Sequence, residues 1–412
     1  MTRRKTTFWA LLILTLSAIF VGIKLYQQAS KAKTQERYAV ILSLDGFRYM
    51  YLDEIPTPFL DAMAAEGVSG SLQPSYPSNT FPNHYSMVTG LYPQNHGIVN
   101  NRFWVNELND YYRLGDSTRV YNPAFYGGEP IWNTAEKQGI KAGSYFWVGS
   151  ETAVQNMHPS YWKKYDADTS FTARADSVIA WLQKPTEERP RLITWYLQEP
   201  DHTGHTCGTG SDELKAMVAK VDSVVGYFRS ELAKLPIASQ VDFIIVSDHG
   251  MKDYEPEKLV NLWDYLPADS FSYIVDGTPT LLYTKHPEYI DEAMSVLEKV
   301  PNITAYRRAD VPSRFHFSEG ERLGDIVVMP ELGGYIFFRE EPELKLAAGH
   351  GFDNSVPEMQ AIFFGAGPSF AKGKKVSQVP NVAIYPLLCH LLQLTPAPND
   401  GTEADVQKLL GH

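Results

Sequence analysis

Apolar positions in this chain fall into two kinds of run. Tyr38 to Leu44 (YAVILSL), Ala142 to Trp147, Leu192 to Leu197, Val241 to Val246 and Gln360 to Phe364 are short and almost continuously apolar, the pattern of strands buried on both faces of a parallel sheet. Between them the apolar spacing is helical. Thr57 to Glu66 carries Pro58 in its first turn and stops at Gly67, and Pro130 to Gln138 stops at Gly139. From Ser211 to Leu235, the residues Leu214, Met217, Val218, Val221, Val225, Phe228 and Leu232 make one apolar face, with Ser211 placed to cap and Asp212 and Glu213 in the first turn. Strands alternating with helices predict an α/β fold, a mostly parallel central sheet with helices on both faces. From about residue 253 to 345 the pattern loosens, with a helix near Tyr289 to Val300 and a strand near Asp325 to Met329. That stretch is read as a smaller inserted α+β unit, after which the core resumes near His350 and closes with an apolar helix from Val382 to Leu394.

In such sheets ligands bind beyond the carboxyl ends of the strands, and that rule selects the polar residues. Asp45 follows the first run directly, Asp201 follows the run at 192–197, and Asp248 with His249 follows the run at 241–246. With His205 and His350 they form a set of hard and borderline ligands of the kind zinc takes. Thr80 lies in Ser75 to Tyr85 (SYPSNTFPNHY), read as a loop stiffened by Pro77 and Pro82. A threonine between prolines is by local signal a turn residue, and its hydroxyl is a poor nucleophile unless a base or metal activates it.

Arg3, Arg4 and Lys5 precede an apolar run from Phe8 to Ile23, followed by Lys24, the layout of a secretory signal or an uncleaved signal anchor over residues 1–33. An anchored or exported body outside a bacterial membrane, periplasmic or extracellular, is the expectation, with residues 34–412 as the catalytic domain. Those first residues hold six basic and no acidic side chains, so the remainder carries 37 − 6 = 31 basic against 48 acidic groups, a net of −17. Such a body repels polyanions, which excludes duplex nucleic acid as the expected partner and leaves a small phosphate ester held by local metal charge. Two cysteines, Cys207 and Cys389, allow at most one disulfide, so the chain is not a disulfide-stapled scaffold.

The motifs together resemble one family, the nucleotide pyrophosphatase/phosphodiesterases of the alkaline phosphatase superfamily. The resemblance runs from about Tyr38 to Leu394 and is carried by LSLDGFR at 42–48, the threonine stretch, GLYPQNHGIVNN at 90–101, EPDHTGH at 199–205, SDHGM at 247–251 and GHGFDN at 349–354. It implies an alkaline phosphatase-like fold and two zinc ions. Asp201, His205 and His350 would hold one, and Asp45, Thr80, Asp248 and His249 the other. It further implies Thr80 as a nucleophile that passes through a phosphothreonine, giving net retention at phosphorus, and Asn101 as a neutral donor to a non-bridging phosphate oxygen. The remaining histidines, His84 and His202 among them, are read as structural.

The threonine stretch offers Asn79, Asn83 and His84 but no Lys or Arg to hold a monoester dianion, so diesters are the expected substrates. A sulfatase pattern fails, because the series reads Thr80, Pro82, His84 where that class needs Cys or Ser, Pro and Arg. Phe81 after the nucleophile, Tyr165 in KKYD and Trp147 in FWVGS match family positions for aromatic substrate contacts, for which core packing is the alternative. The expected activity is release of nucleoside 5′-monophosphates from nucleotides or related diesters. A choline-phosphate or lysophospholipid diesterase and a catalytically silent envelope binding protein are the competing readings.

Overall fold

The computed structural model describes residues 36–411, and the signal or anchor expected over residues 1–33 lies outside them. Among the described residues no helix is long and apolar enough to cross a membrane. One eight-stranded sheet dominates. Its strands are β1 (Tyr38–Leu44), β2 (Val68–Gln73), β3 (Ala142–Tyr145), β4 (Tyr161–Lys163), β5 (Leu192–Leu197), β6 (Val241–Val246), β7 (Ala361–Ala366) and β8 (Lys374–Pro380). They lie side by side in the order β8-β2-β7-β6-β1-β5-β3-β4. All neighbours run parallel except β7, which is antiparallel to both β2 and β6.

The continuous apolar runs have a direct cause. Every residue of β1 is buried, with Ala39 and Ile41 facing one apolar cluster and Val40 and Leu42 the other. The second cluster is covered by α1 (Pro58–Glu66), α3 (Phe171–Leu182) and α5 (Asp212–Leu232), the first by α2 (Thr80–Thr89) and α6 (Ile384–Leu392). Ser211 caps α5 as its position predicts, its Oγ accepting from Leu214 N at 3.1 Å. Between 253 and 345 a separate four-stranded sheet, in the order Phe271–Val275, Thr280–Thr284, Ile326–Pro330 and Ile303–Arg307, packs its own cluster including Leu282, Leu297 and Val328 against the helix Tyr289–Leu297.

Three expectations need correction. The run from Ala142 ends as a strand at Tyr145, because Phe146 turns out of the sheet with φ +70°. β2 and β8 escape the run criterion: β2 (VSGSLQ) buries only alternate residues, and β8 is a sheet edge that presents lysines to solvent. Most important, the threonine stretch is a loop only over residues 75–79. Thr80 is the first residue of α2, with Pro82 inside the first turn, where the ring removes no helical hydrogen bond. Cys207 and Cys389 are both unpaired.

Candidate active site

The three central strands β6, β1 and β5 are adjacent and parallel, so the residues after their carboxyl ends meet. Asp45 and Asp201 approach across a turn that only glycine permits. Gly46 has φ +64°, and a Cβ there would stand 2.8 Å from the Cβ of Asp201. The turn is tied from both sides: Asp201 N donates to Asp45 O at 3.0 Å and Gly46 N to Asp248 Oδ1 at 3.1 Å. α4 (Asp201–Cys207) then brings His205 to the same face one turn on.

Two clusters of ligand-type residues result, Asp201 with His205 and His350, and Asp45 with Asp248 and His249. In the first, His205 Nε2 lies 3.1 Å from His350 Nε2 and 3.4 Å from Asp201 Oδ2. In the second, His249 Nε2 lies 3.0 Å from Asp248 Oδ2 and 3.6 Å from Asp45 Oδ1. The rings of His249 and His350 stack at 3.7 Å, so the clusters share a wall. Thr80 Oγ1 is 3.2 Å from His249 Nε2.

Each of the three histidines sets its Nδ1 against a carbonyl, His205 against Ala348 O, His249 against Gly250 O and His350 against Ser78 O, which turns Nε2 inward. Asp45 Oδ1, Asp201 Oδ1 and Asp248 Oδ2 are buried without a hydrogen bond, although Asp248 Oδ2 touches His249. Burial, then the Asp248 and Asp201 charges, pushes the Asp45 carboxyl well above the usual carboxylate range. Burial raises Asp201 as well, against the pull of His205 and His249. At Asp248 burial works the same way, but His249 and His84 outweigh it and hold the carboxylate well below its ordinary value. His350 is held well below the usual imidazole range by burial and by its two histidine neighbours. Buried orphan oxygens beside inward-facing imidazole nitrogens are a donor set short of positive charge, which fits two divalent cations of the zinc type.

Thr80 is held by the start of its helix. Asn79 stands at the N-cap position, but its amide is turned to the site instead, donating to Asn100 Oδ1 at 2.9 Å and to Thr278 O at 3.0 Å and accepting from His350 Nδ1 at 2.9 Å. Asn101 Oδ1 accepts from Phe81 N at 3.0 Å, so its amide nitrogen is the end left for a ligand. Above Thr80 opens a cavity of about 550 Å³ whose walls include Asp45, Phe81, Tyr165, Trp147, Asp201 and His202. Tyr165 is 43% exposed and free to stack. Trp147 reaches the cavity but is buried, its Nε1 donating to His84 O at 3.0 Å, so it is first a packing residue.

Sequence reasoning missed several residues here. His84 is buried against Asp248 (Nδ1 to Oδ2, 3.3 Å), Ser43 Oγ and Thr80 O, and reading the threonine stretch as a helix would have put it one turn below Thr80. Tyr196 Oη donates to Asp45 Oδ2 at 2.5 Å, hidden in the sequence as one more apolar position of β5. Glu151 enters the cavity wall beside Tyr165, accepting from Tyr165 N, and no motif contains it.

Comparison with known proteins agrees with this geometry. The family model of type I phosphodiesterase / nucleotide pyrophosphatase matches residues 39–353. Human ectonucleotide pyrophosphatase/phosphodiesterase family member 1 is 35% identical over 90% of this chain and 41% of its own length. Venom phosphodiesterase CdcPDE of Crotalus durissus collilineatus is 34% identical over 90% of this chain and 46% of its own length. The chain therefore spans less than half the length of these relatives. Among solved structures, murine ectonucleotide pyrophosphatase/phosphodiesterase 5 superposes with a TM-score of 0.86 at 31% identity, covering 90% of this chain and 100% of that one. The same murine protein, as an inactive threonine-to-alanine variant in complex with AMP, also superposes at 0.86, with 31% identity over 91% of this chain and 100% of that one.

Proposed function

The chain belongs to the type I phosphodiesterase / nucleotide pyrophosphatase family, and from that premise we propose that it is a two-zinc phosphodiesterase releasing nucleoside 5′-monophosphates from nucleotides or similar diesters. The observation that carries this reading is the Thr80 hydroxyl, 3.2 Å from His249 Nε2 on the floor of a cavity walled by Phe81 and Tyr165. Asp201, His205 and His350 would hold one zinc, and Asp45, Asp248, His249 and Thr80 the other. Bound there, the metals would neutralise phosphate charge and lower the pKa of a hydroxyl or water toward neutrality. Thr80 Oγ1 bonds to phosphorus as the bond to the first leaving oxygen breaks. Water then cleaves the phosphothreonine, returning the hydroxyl and freeing the nucleotide with net retention. Asn101 donates to a non-bridging oxygen, and Phe81 and Tyr165 hold a base between them. The murine neighbour, inactive as a threonine-to-alanine variant and seen in complex with AMP, supports both halves of the proposal. An N-terminal export signal or anchor and an inserted unit at about 253–345 complete the reading, with the catalytic body outside a bacterial membrane.

Charge sets the substrate class. The cavity walls contribute Asp45, Glu151 and Asp201 and no Lys or Arg, so nothing but the metals offsets a second phosphate charge. Bis(4-nitrophenyl) phosphate and 4-nitrophenyl esters of nucleoside 5′-monophosphates should therefore exceed 4-nitrophenyl phosphate by about 10²-fold or more in kcat/KM. A monoester that matches or beats the diesters defeats the proposal.

A choline-type headgroup is the second reading, favoured by one observation. Glu151 stands in the same wall as Tyr121, Phe146 and Tyr165, and a carboxylate among aromatics suits a quaternary ammonium. Its charge is partly spent, because burial raises the Glu151 pKa and Tyr165 N already occupies one oxygen. Tyr165→Ala distinguishes the two: KM for a nucleoside ester should rise by the equivalent of about 1–3 kcal/mol, one stacking contact, with bis(4-nitrophenyl) phosphate little affected. Unchanged nucleotide kinetics with loss of glycerophosphocholine hydrolysis would reverse the choice.

A further inference from the structure

Beneath the exposed loop that carries Tyr165 lies a completely buried arginine. Arg174, in the first turns of α3, has five N–H donors, and the structure supplies five acceptors. Nε donates to Thr169 O at 2.9 Å, Nη1 to Tyr196 O at 3.2 Å and Gln198 Oε1 at 2.7 Å, and Nη2 to Asp166 O at 3.4 Å and Ala167 O at 3.3 Å. No carboxylate oxygen is among these acceptors. Its guanidinium also stands 5.0 Å from the ring of Phe146, which in turn meets the Tyr165 ring edge-on at 5.2 Å.

A buried cation hydrogen-bonded only to neutral acceptors is an expensive way to hold a loop, and apolar packing would serve stability as well. What it provides is geometry. Three of its bonds end on residues 166–169, directly after Tyr165, and two end on Tyr196 and Gln198, at the end of the strand that leads to Asp201. Tyr196 itself holds Asp45 through its phenol. The geometry points to Arg174 as a positioning residue: it fixes the aromatic wall of the cavity relative to the reacting centre, so that recognition of the base, not phosphoryl transfer, depends on it. This inference rests on the nucleotide reading proposed above.

Arg174→Lys keeps the charge and the stem but offers at most three donors in place of a planar fork, and Arg174→Gln removes the charge. Both are measured in the zinc-loaded full chain beside Tyr165→Ala. For the 4-nitrophenyl ester of thymidine 5′-monophosphate, Arg174→Lys should raise KM about tenfold with kcat within about twofold. For bis(4-nitrophenyl) phosphate both constants should stay within about twofold, and amide hydrogen exchange at residues 165–169 should accelerate. Combined with Tyr165→Ala, the substitution should add nothing further to KM for the nucleoside ester. An unchanged KM for that ester, or equal losses on both esters with a lowered melting temperature, overturns the assignment. If the unsubstituted chain cleaves neither ester, it is the proposed activity that falls. The clamp is then judged by exchange alone, and unaltered exchange in Arg174→Lys refutes it.

Discussion

Thr80→Ala should lower turnover of a nucleoside ester by at least about 10³-fold, with the melting temperature and metal content close to those of the unsubstituted protein. Alanine is at home in the first turn of a helix, and nothing in the core depends on the lost hydroxyl, so a collapse of activity would report chemistry and not folding. The γ-methyl restricts χ1 and holds Oγ1 on the side of His249. Thr80→Ser keeps the oxygen and loses that restraint, so it should retain measurable turnover. Acid quenching of a running reaction should trap phosphate on the peptide that contains Thr80, read by mass spectrometry. Ordinary turnover in the alanine variant would assign the nucleophile elsewhere.

Removal of divalent metal should have the other large effect. Chelation should abolish hydrolysis and zinc should restore it, with about two ions bound per chain. A second readout is independent of activity. Asp45 Oδ1, Asp201 Oδ1 and Asp248 Oδ2 are buried without hydrogen bonds, so the metal-free protein should melt several degrees lower and recover on adding zinc, as linkage requires. Asp45 and His249 both hold protons more tightly than their ordinary values, the first through burial and its acidic neighbours, the second because Asp248 outweighs burial. A proton held more tightly competes with a cation, so zinc affinity should fall as the pH is lowered, and loading should release protons to a weakly buffered solution. A chain fully active after chelation, with a melting curve unmoved by zinc, would remove the metal mechanism altogether.

Strand ends were the part of the site most open to reading from sequence. Asp45, Asp201, Asp248 and His249 follow runs apolar enough to be recognised, and the adjacency of β6, β1 and β5 collects them. Thr80 was found and its setting was not. Two prolines suggested a loop, whereas a helix accepts proline in its first turn and tertiary contacts supply the rest of its stability. Tyr196, Glu151 and Arg174 were invisible for a different reason: each acts through partners distant in sequence, and a single tyrosine, glutamate or arginine carries no local pattern. Antiparallel β7 reads like any other buried strand, because apolar content reports burial and is silent on direction.

The direction and lateness of β7 matter for how a cell makes this protein. β2, which leads into Thr80, joins the rest of the sheet only through β7, and Asn83, one turn into α2, is pinned by Asn381 later still. β6, β1 and β5, with Asp45, Asp201, Asp248 and His249, all precede residue 361, and α2 meets them directly through His84, which touches Ser43 and Asp248, whereas β2 and β6 are bridged in the sheet only by β7. A product truncated before residue 361 should therefore lose hydrolysis, since it has neither β7 to hold β2 in the sheet nor Asn381 to pin α2.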